Sequence, residues 1–303
     1  MAFLSQANNN NNNNNNTRCK VNFFMTWISP KKLFGKRELL SLESIFKAHP
    51  KGCVVILSKS MDSELGRRTL GPLMSQGYRV LPVSMDFHVL FNNTSAKGWL
   101  ERLEAGLIDP GIIPITQNLA NLVRLVALYK YGGVYLDTDV VILKDVSSLK
   151  NSIGIQTMED KAKNRWTTLN NAVLIFDKGH PILLKFIDEF AYSFNGNKWG
   201  FNGPFLVTRV IYRRNRDKKI KVNILPPMTF YPVNWTQIRQ YFQTPIDMNE
   251  TARDQEQLNQ INSMSYGIHL WNKDSRKLKI EDGSLIGKLI SNHCIICQGI
   301  YNS

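Results

Sequence analysis

Two carboxylates one residue apart, Asp137 and Asp139, are the side chains whose type and spacing in this chain best suit chemistry. They follow a short apolar run, residues 134–136, that predicts a β-strand. Because side chains alternate along a strand, residues two apart face the same way, and we expect both carboxylates to point at one place. Paired carboxylate oxygens suit Mn²⁺ or Mg²⁺, and such ions usually also hold a phosphorylated substrate.

The elements that must position this pair alternate between apolar strands and amphipathic helices. Hydrophobic patterning predicts strands at 21–28, 53–57, 78–83, 134–136, 140–143 and 172–176, and helices at 39–46, 63–75, 116–131 and 181–194. This β-α-β order predicts an α/β fold with a mainly parallel, doubly wound sheet and helices on both faces. Ligands of such sheets bind beyond the carboxyl ends of the strands, where Asp137 and Asp139 fall.

The composition of the 303-residue chain limits the class of protein and the kinds of partner that we expect. Hydrophobic residues make up 43% and charged residues 20%, as in an ordinary soluble globular protein. The formal net charge of +14 indicates an anionic partner, such as a sugar nucleotide, an acidic polysaccharide, a membrane surface or nucleic acid. Because the aromatic-rich pattern of RNA-binding modules is absent from the sequence, we expect no nucleic-acid partner. The sequence as written shows neither an apolar run of about 20 residues nor a signal peptide, so we expect no membrane anchor or export signal in it.

The ends of the chain carry a low-complexity tract and a cysteine pair. Residues 8–16 are all asparagine, so we expect 1–17 to be disordered and a single domain to span 18–303. Cys294 and Cys297 lack a second pair that would complete a zinc site, which leaves a C-terminal disulfide or plain buried thiols. N-glycosylation sequons, which matter only in a secretory compartment, stand at Asn15, Asn92, Asn93, Asn234 and Asn249.

Six segments of the chain, taken in order, carry a resemblance to a known family. They are NFFMTWISP (22–30), NLANLVRLVALYKYGGVYLDTDVVILK (118–144), NNAVLIFDKGHP (170–181), NGPFLVTRV (202–210), FYPVNW (230–235) and HLWNK (269–273). With them, residues 20–300 resemble the α-1,4-glycosyltransferases related to globotriaosylceramide synthase, the sugar-binding-region family containing the DXD motif, and its plant members in particular. The resemblance implies a GT-A glycosyltransferase fold, a UDP-sugar donor with a galactose-like hexose, a glycan or glycolipid acceptor, Mn²⁺ dependence, retention of the anomeric configuration and a membrane-anchored Golgi enzyme.

The resemblance assigns roles to three charged residues. Asp137 and Asp139 match the DXD pair, of which one carboxylate meets the metal directly and the other acts through water or the donor ribose. Arg124 matches an arginine whose guanidinium reaches donor hydroxyls or phosphate oxygens. From the residues alone, a structural ion pair stays open as the role of Arg124.

Three ring side chains complete the donor site that the resemblance implies. Trp27 matches a tryptophan that related toxins stack on uracil. His269 and Trp271 match a late His-x-Trp, in which a neutral imidazole would complete the metal or diphosphate shell. Ordinary core positions stay open as alternatives for Trp27 and His269.

The resemblance also implies an acceptor loop and contains one departure. Asn202, Gly203 and Pro204 match the loop that borders the acceptor, where glycine allows a close approach of backbone to sugar. The family helix reads aspartate where this chain has Asn121, one helical turn before Arg124. Asn121 would contact donor hydroxyls without carrying charge, so one alternative is a catalytically impaired protein that still binds sugar nucleotide.

A second alternative is a phosphatase of the haloacid dehalogenase type. Its first motif, an apolar strand followed by DxDx[TV], is matched at 137–141, where Asp137 would be the nucleophile and Asp139 the acid or base. That fold also needs a late acidic Mg²⁺ motif, for which the segment 280–284 is a poor substitute.

Overall fold

A seven-stranded sheet forms the centre of the computed structural model, which describes residues 19–160, 165–214 and 220–300. The segment 1–17, which we predict to be disordered, and the sequon at Asn15 lie outside these residues. In chain order the described strands are β1 (Asn22–Trp27), β2 (Cys53–Ser58), β3 (Arg79–Ser84), β4 (Gly133–Leu136), β5 (Val140–Ile142), β6 (Ser152–Asp160), β7 (Arg165–Phe176), β8 (Asn223–Leu225) and β9 (Gly267–His269).

Helices pack around these strands. The α-helices in the described ranges are α1 (Lys36–Ala48), α2 (Glu64–Ser75), α3 (Phe87–Phe91), α4 (Ser95–Glu104), α5 (Ile115–Tyr131), α6 (Pro181–Ser193), α7 (Pro204–Arg214), α8 (Met248–Met264), α9 (Asn272–Ser275) and α10 (Leu285–His293). Short 3₁₀ helices lie at Lys31–Leu33, Pro227–Thr229 and Ile238–Phe242. Among all of these, none combines the length and the apolar character that crossing a bilayer requires.

The main sheet has the strand order β3-β2-β1-β4-β7-β6-β8. Strands β3, β2, β1 and β4 run parallel, and β8 runs parallel to β6. Strand β7 runs antiparallel to both β4 and β6. The prediction of a mainly parallel sheet is therefore confirmed. The second half of β7 matches the predicted strand at 172–176, but its antiparallel direction was not predicted.

Apolar side chains on the two faces of the sheet form two separate hydrophobic cores. Strand β1 sends Phe23 and Met25 into the core that α1 covers, and Phe24 into the core that α5 and α6 cover. This alternation buries all three side chains completely. Both faces of the sheet are therefore covered by helices, as in the predicted doubly wound arrangement.

Two glycines after the end of α5 allow β4 to lie close beside β1. Helix α5 ends at Tyr131, and Gly132 follows with φ 66°, a left-handed conformation that favours glycine. A Cβ on Gly133 would lie 2.4 Å from the carbonyl oxygen of Asn22 in β1, so a side chain has no room there. Strand β4 then ends at Leu136, directly before Asp137.

A second, two-stranded sheet connects the strand that directly follows Asp139 to a part of the chain that is far away in sequence. Strands β5 and β9 pair antiparallel, with Val140 opposite His269. Helix α1 supports β5, because Ser44 Oγ accepts from the Ile142 N–H at 2.8 Å and Ser41 Oγ donates to the carbonyl of Val140. This pairing brings a histidine from near residue 270 to the Asp-x-Asp motif.

Two disulfides fix segments near the chain ends. Cys294 and Cys297 are bonded to each other, which confirms the disulfide alternative for this pair. Cys19 and Cys53 form the other disulfide, which ties the segment before β1 to the start of β2. Their sequence separation of 34 residues gave no local pattern from which this bond could be predicted.

Candidate active site

The two aspartates lie in the turn between β4 and β5, and not in a continuous strand. The Asp137 N–H donates to the carbonyl of Ala172 at 2.8 Å, and the Val140 N–H donates to the carbonyl of Asp137 at 3.2 Å. The expected convergence of the carboxylates therefore has a different cause from strand alternation. The turn closes after Asp137 and brings Asp139 back toward it.

Arg124 and Tyr135 hold the Asp137 carboxylate. Arg124 Nη1 and Nη2 lie 3.2 and 3.0 Å from its oxygens, and the Tyr135 hydroxyl donates to Oδ1 at 2.8 Å. The guanidinium also donates to the carbonyl of Asn171 at 2.7 Å and lies 4.6 Å from the centroid of the Tyr135 ring. Arg124 is thus a fixed ion-pair partner of Asp137, which agrees with the structural alternative and leaves a role toward the donor as a prediction.

His269 faces Asp139 from the neighbouring strand. Its Nε2 lies 3.2 Å from Asp139 Oδ1, while Asp139 Oδ2 accepts from the Asn272 N–H at 2.8 Å. Burial disfavours the charged form of each side chain, but the attraction between Asp139 and His269 outweighs burial. The pKa of Asp139 therefore lies below its usual value, and the pKa of His269 lies above its usual value. Among the described residues, no hydrogen-bond partner reaches the buried Nδ1 of His269.

Asp137, Asp139 and His269 fit a divalent cation. One ligand atom from each lies within 4.8 Å of the others. Burial raises the pKa of the Asp137 carboxyl, an effect that Arg124 opposes and the nearby negative charge of Asp139 strengthens. A cation between two repelling carboxylates relieves that cost, and two carboxylate oxygens with one imidazole nitrogen are a donor set that Mn²⁺ accepts.

The cluster opens into a cavity of about 850 Å³. Carboxamides form one part of its wall, namely Gln117, Asn118, Asn121, Gln156, Asn170 and Asn171. Aromatic residues form another part, namely Trp199, Phe205, Trp235 and Trp271. Such a mixture of hydrogen-bonding side chains and flat apolar faces suits a polar ring compound, a sugar above all.

Similarity to known proteins agrees with this geometry. The family model described as alpha 1,4-glycosyltransferase conserved region matches residues 175–301, and the glycosyltransferase sugar-binding region containing DXD motif matches residues 35–159. Lactosylceramide 4-alpha-galactosyltransferase of Mus musculus is 32% identical over 278 residues, which cover 88% of this chain and 71% of that protein. The chain belongs to the alpha 1,4-glycosyltransferase family.

Other relatives of this family member differ in how much of their length is matched. Lactosylceramide 4-alpha-galactosyltransferase of Rattus norvegicus is 34% identical, with 84% of this chain and 69% of that protein covered. An uncharacterized protein of Arabidopsis thaliana is 32% identical over 93% of this chain, but the chain spans only 43% of that protein's length.

A solved structure shows the same fold. The apo form of the glycosyltransferase GlyE of Streptococcus pneumoniae superposes with a TM-score of 0.50 at 12% identity, covering 94% of this chain and 63% of that chain. At this identity the likeness concerns the fold alone. It confirms the predicted GT-A glycosyltransferase fold, and membership of the alpha 1,4-glycosyltransferase family decides against the phosphatase alternative.

The predicted acceptor loop of this glycosyltransferase meets the predicted donor helix. Gly203 packs on Asn121, since a Cβ at Gly203 would lie 3.0 Å from Asn121 Oδ1. Asn202 and Pro204 line the cavity, and the amide of Asn202 is buried against Asn118. Asn121 lines the cavity as well, and its Oδ1 accepts from Asn171 Nδ2 at 2.9 Å.

The two tryptophans predicted for the donor site have different positions. Trp271 lines the cavity, with its indole 4.2 Å from the His269 ring and its Nε1 donating to the carbonyl of Val233 at 2.8 Å. Trp27 is not among the described residues that line the cavity. It is 6% exposed and packs edge-on against Phe34, as a core tryptophan does, so stacking on uracil stays a prediction.

Sequence reasoning missed several residues of the site. The backbone of Asn272 bonds to Asp139, and the side chains of Lys273, Arg276 and Trp199 line the cavity. Asn272 and Lys273 directly follow the His-x-Trp pair, so their proximity to the motif was a usable signal. Trp199 stands in a loop with no motif, and only the fold brings it to the cavity.

Proposed function

We propose that this protein transfers a galactose-like hexose from a UDP-sugar to a glycan or glycolipid acceptor, with retention of the anomeric configuration. The observation that carries the proposal is the convergence of Asp137, Asp139 and His269 at the edge of a cavity with a carboxamide wall. The names of the mouse and rat relatives supply galactose as the donor sugar to test and lactose-terminated glycolipids as the acceptors.

Mn²⁺ or Mg²⁺ is the proposed cofactor, and Asp137, Asp139 and His269 are its proposed ligands. When bound, such an ion supplies Lewis-acid stabilisation of the charge on the leaving diphosphate. The residues around it have their own tasks. Arg124 keeps the Asp137 carboxylate oriented, and Lys273, an exposed residue that lines the cavity, adds positive charge near the phosphate oxygens.

The carboxylates that line the described part of the cavity favour a front-face reaction. They are Asp137, Asp139 and Asp274, of which the first two belong to the proposed metal cluster and the third is exposed. In the proposed reaction the bond from the anomeric carbon to the diphosphate oxygen breaks, and a bond to the acceptor oxygen forms on the same face. The acceptor proton passes to the leaving diphosphate, so the protein supplies position and charge.

A transfer assay tests the proposal. UDP release from UDP-galactose, UDP-glucose and UDP-N-acetylglucosamine is measured with a lactose-terminated acceptor, in Mn²⁺ and in EDTA. We expect Asp139→Asn to lower the rate at least about 100-fold, because the charge stabilisation at stake is several kcal/mol. Asp274→Asn is the matched control and keeps the wild-type rate. Equal rates in EDTA and in Mn²⁺ would contradict the metal-dependent mechanism.

Asn121 motivates a second candidate, a relative that binds sugar nucleotide but transfers poorly. The Asn121 oxygen already accepts from Asn171, and an aspartate would keep that bond while adding a charge. We expect wild type to be active and Asn121→Asp to change its rate by less than about tenfold. Activity that appears only in the Asn121→Asp variant would favour the impaired relative.

The compartment belongs to the same proposal. The family resemblance implies the Golgi lumen with membrane association, and two disulfides suit an oxidising secretory compartment. We treat residues 18–303 as one glycosyltransferase domain. Fluorescence microscopy of the tagged full-length protein with a Golgi marker tests the location, and a cytosolic distribution would contradict it.

A further inference from the structure

An exposed tryptophan stands on the rim of the cavity. Trp199 is 47% exposed and lines the cavity, and the structure describes all six tryptophans, of which Trp199 is the most exposed. Large aromatic faces left open beside a concave site commonly mark the place where a ligand binds. This exposed indole is therefore a candidate contact for a ligand of the cavity.

The loop that carries Trp199 is held in place. Asn202 Nδ2 donates to Asn118 Oδ1 at 2.9 Å and to the carbonyl of Asn195 at 2.8 Å. The Asn195 N–H donates back to Asn202 Oδ1 at 3.1 Å. Asn202 is 3% exposed, so these bonds form away from solvent. The indole is therefore presented from a fixed loop between α6 and α7.

Lys273 fixes the indole from one side. Its ammonium lies 4.0 Å from the centroid of the Trp199 ring, within the range of a cation–π contact. Lys273 follows Asn272, whose N–H is bonded to Asp139. The lysine therefore connects Trp199 to the segment whose backbone is bonded to Asp139, while Trp199 remains 47% exposed.

The carboxamide wall of the same cavity indicates the chemistry of the missing partner. Carboxamides both donate and accept hydrogen bonds, as sugar hydroxyls do. A pyranose ring also has an apolar face of C–H groups, which carry partial positive charge and stack on the negative face of an aromatic ring. An open indole with carboxamides in one cavity matches both sides of a sugar ring.

We propose that Trp199 binds the acceptor by stacking its exposed indole on the terminal sugar ring, and that Lys273 is the residue that positions this indole. The inference rests on the proposed function, because the stacked ring must lie beside a donor site. It adds a named contact for the acceptor outside the segment 202–204.

Direct binding measurements test the stacking. Methyl β-galactoside, methyl β-glucoside and methyl β-lactoside are titrated into the full chain with UDP and Mn²⁺ present, and binding is followed by saturation-transfer NMR and calorimetry. We expect saturable binding of at least one glycoside, a loss of about tenfold in Trp199→Ala, and a loss of less than about threefold in Trp199→Phe. Tyr192→Ala, which removes an aromatic ring that is 82% exposed on α6, is the control and binds like wild type.

Two lysine variants test the positioning. Lys273→Met keeps the length of the side chain without its charge, and we expect the affinity for the glycoside to fall about threefold. Lys273→Arg restores it, because a guanidinium also makes the cation–π contact. If Lys273 only stabilised the fold, its variants would change the free energy of unfolding. They would not show the loss of glycoside affinity in Lys273→Met and its recovery in Lys273→Arg.

The outcomes separate this inference from the proposed function. UDP affinity in Mn²⁺ is measured for every variant, and Trp199→Ala should leave it unchanged. Wild type that binds UDP but no glycoside, or glycoside affinity equal in wild type and Trp199→Ala, overturns the role of Trp199. If wild type binds a glycoside through Trp199 but does not bind UDP, the result contradicts the proposed donor and still supports the stacking of Trp199 on a sugar ring.

Discussion

Replacing Arg124 by methionine removes the ion-pair partner of Asp137 and keeps an apolar chain of similar length. In the wild-type structure the guanidinium bonds both oxygens of Asp137 and the carbonyls of Asn171 and Ala120. The side chain of Arg124 is only 7% exposed, whereas that of Asp137 is 26% exposed. The variant therefore leaves one carboxylate and two carbonyls without this partner.

The expected cost is about 3 kcal/mol in the free energy of unfolding. Removing one partner of a buried ion pair costs about 3–5 kcal/mol, and the partial exposure of Asp137 favours the lower end because water replaces some of the lost solvation. Adding Asp137→Asn removes the unpaired charge. The double variant should then lose only about 1 kcal/mol, since the carbonyl contacts are what remains unpaired.

Urea unfolding of wild type, both single variants and the double variant gives the coupling energy between Arg124 and Asp137. Arg213→Met is the matched control, because this arginine also pairs with a carboxylate, Glu189, but its side chain is 67% exposed. We expect the control to lose at most about 1 kcal/mol. A loss below about 1 kcal/mol in Arg124→Met, or a double variant no more stable than that single variant, would show that burial of the unpaired Asp137 charge is not what destabilises the variant.

Two further predictions concern buried polar groups outside the site. Burial lowers the pKa of His49 from 6.5, with partial opposition from Asp145, so the folded state keeps the ring neutral and loses stability as the pH falls through about 6.5. The stability advantage of wild type over His49→Gln should therefore shrink between about pH 7.5 and about pH 5.5 in urea unfolding, and a constant difference would contradict it. Glu43 Oε2 accepts the N–H groups of residues 295–297 at 2.8, 2.8 and 3.0 Å. Glu43→Gln should cost about 2 kcal/mol in thermal unfolding of the oxidised protein, and a change below about 0.5 kcal/mol would contradict this.

Hydrophobic patterning predicted the strand and the helix that lead to the site, because the spacing of apolar residues within one element can be read from a short stretch of sequence. The run that ends at Leu136 and the helix that carries Arg124 occupy the predicted segments within one or two residues. Patterning did not show β6 or the first half of β7 (Arg165–Phe176), because polar residues interrupt the apolar spacing there. It also gave the wrong reason for the convergence of the two aspartates, which a turn and not a strand produces.

The candidate site depends on contacts between residues far apart in the sequence. His269 faces Asp139 only because β5 pairs with β9, and no local pattern specifies that register. Its place at the motif could be predicted only through the family resemblance. Trp199 carried no motif at all, while the motif residue Trp27 packs in the core, so the resemblance alone could not rank the aromatic residues by access to the cavity.

In the proposed function, Asp137, Asp139 and His269 hold a divalent cation that binds the diphosphate of the donor. The most direct test is calorimetric titration of UDP into wild type and Asp139→Asn, each with Mn²⁺ and with EDTA, and with Asp274→Asn as the control. We expect wild type and Asp274→Asn to bind UDP with equal affinity in Mn²⁺, and the affinity to fall at least about 30-fold in EDTA or in Asp139→Asn. UDP affinity that is the same in all of these samples would contradict it.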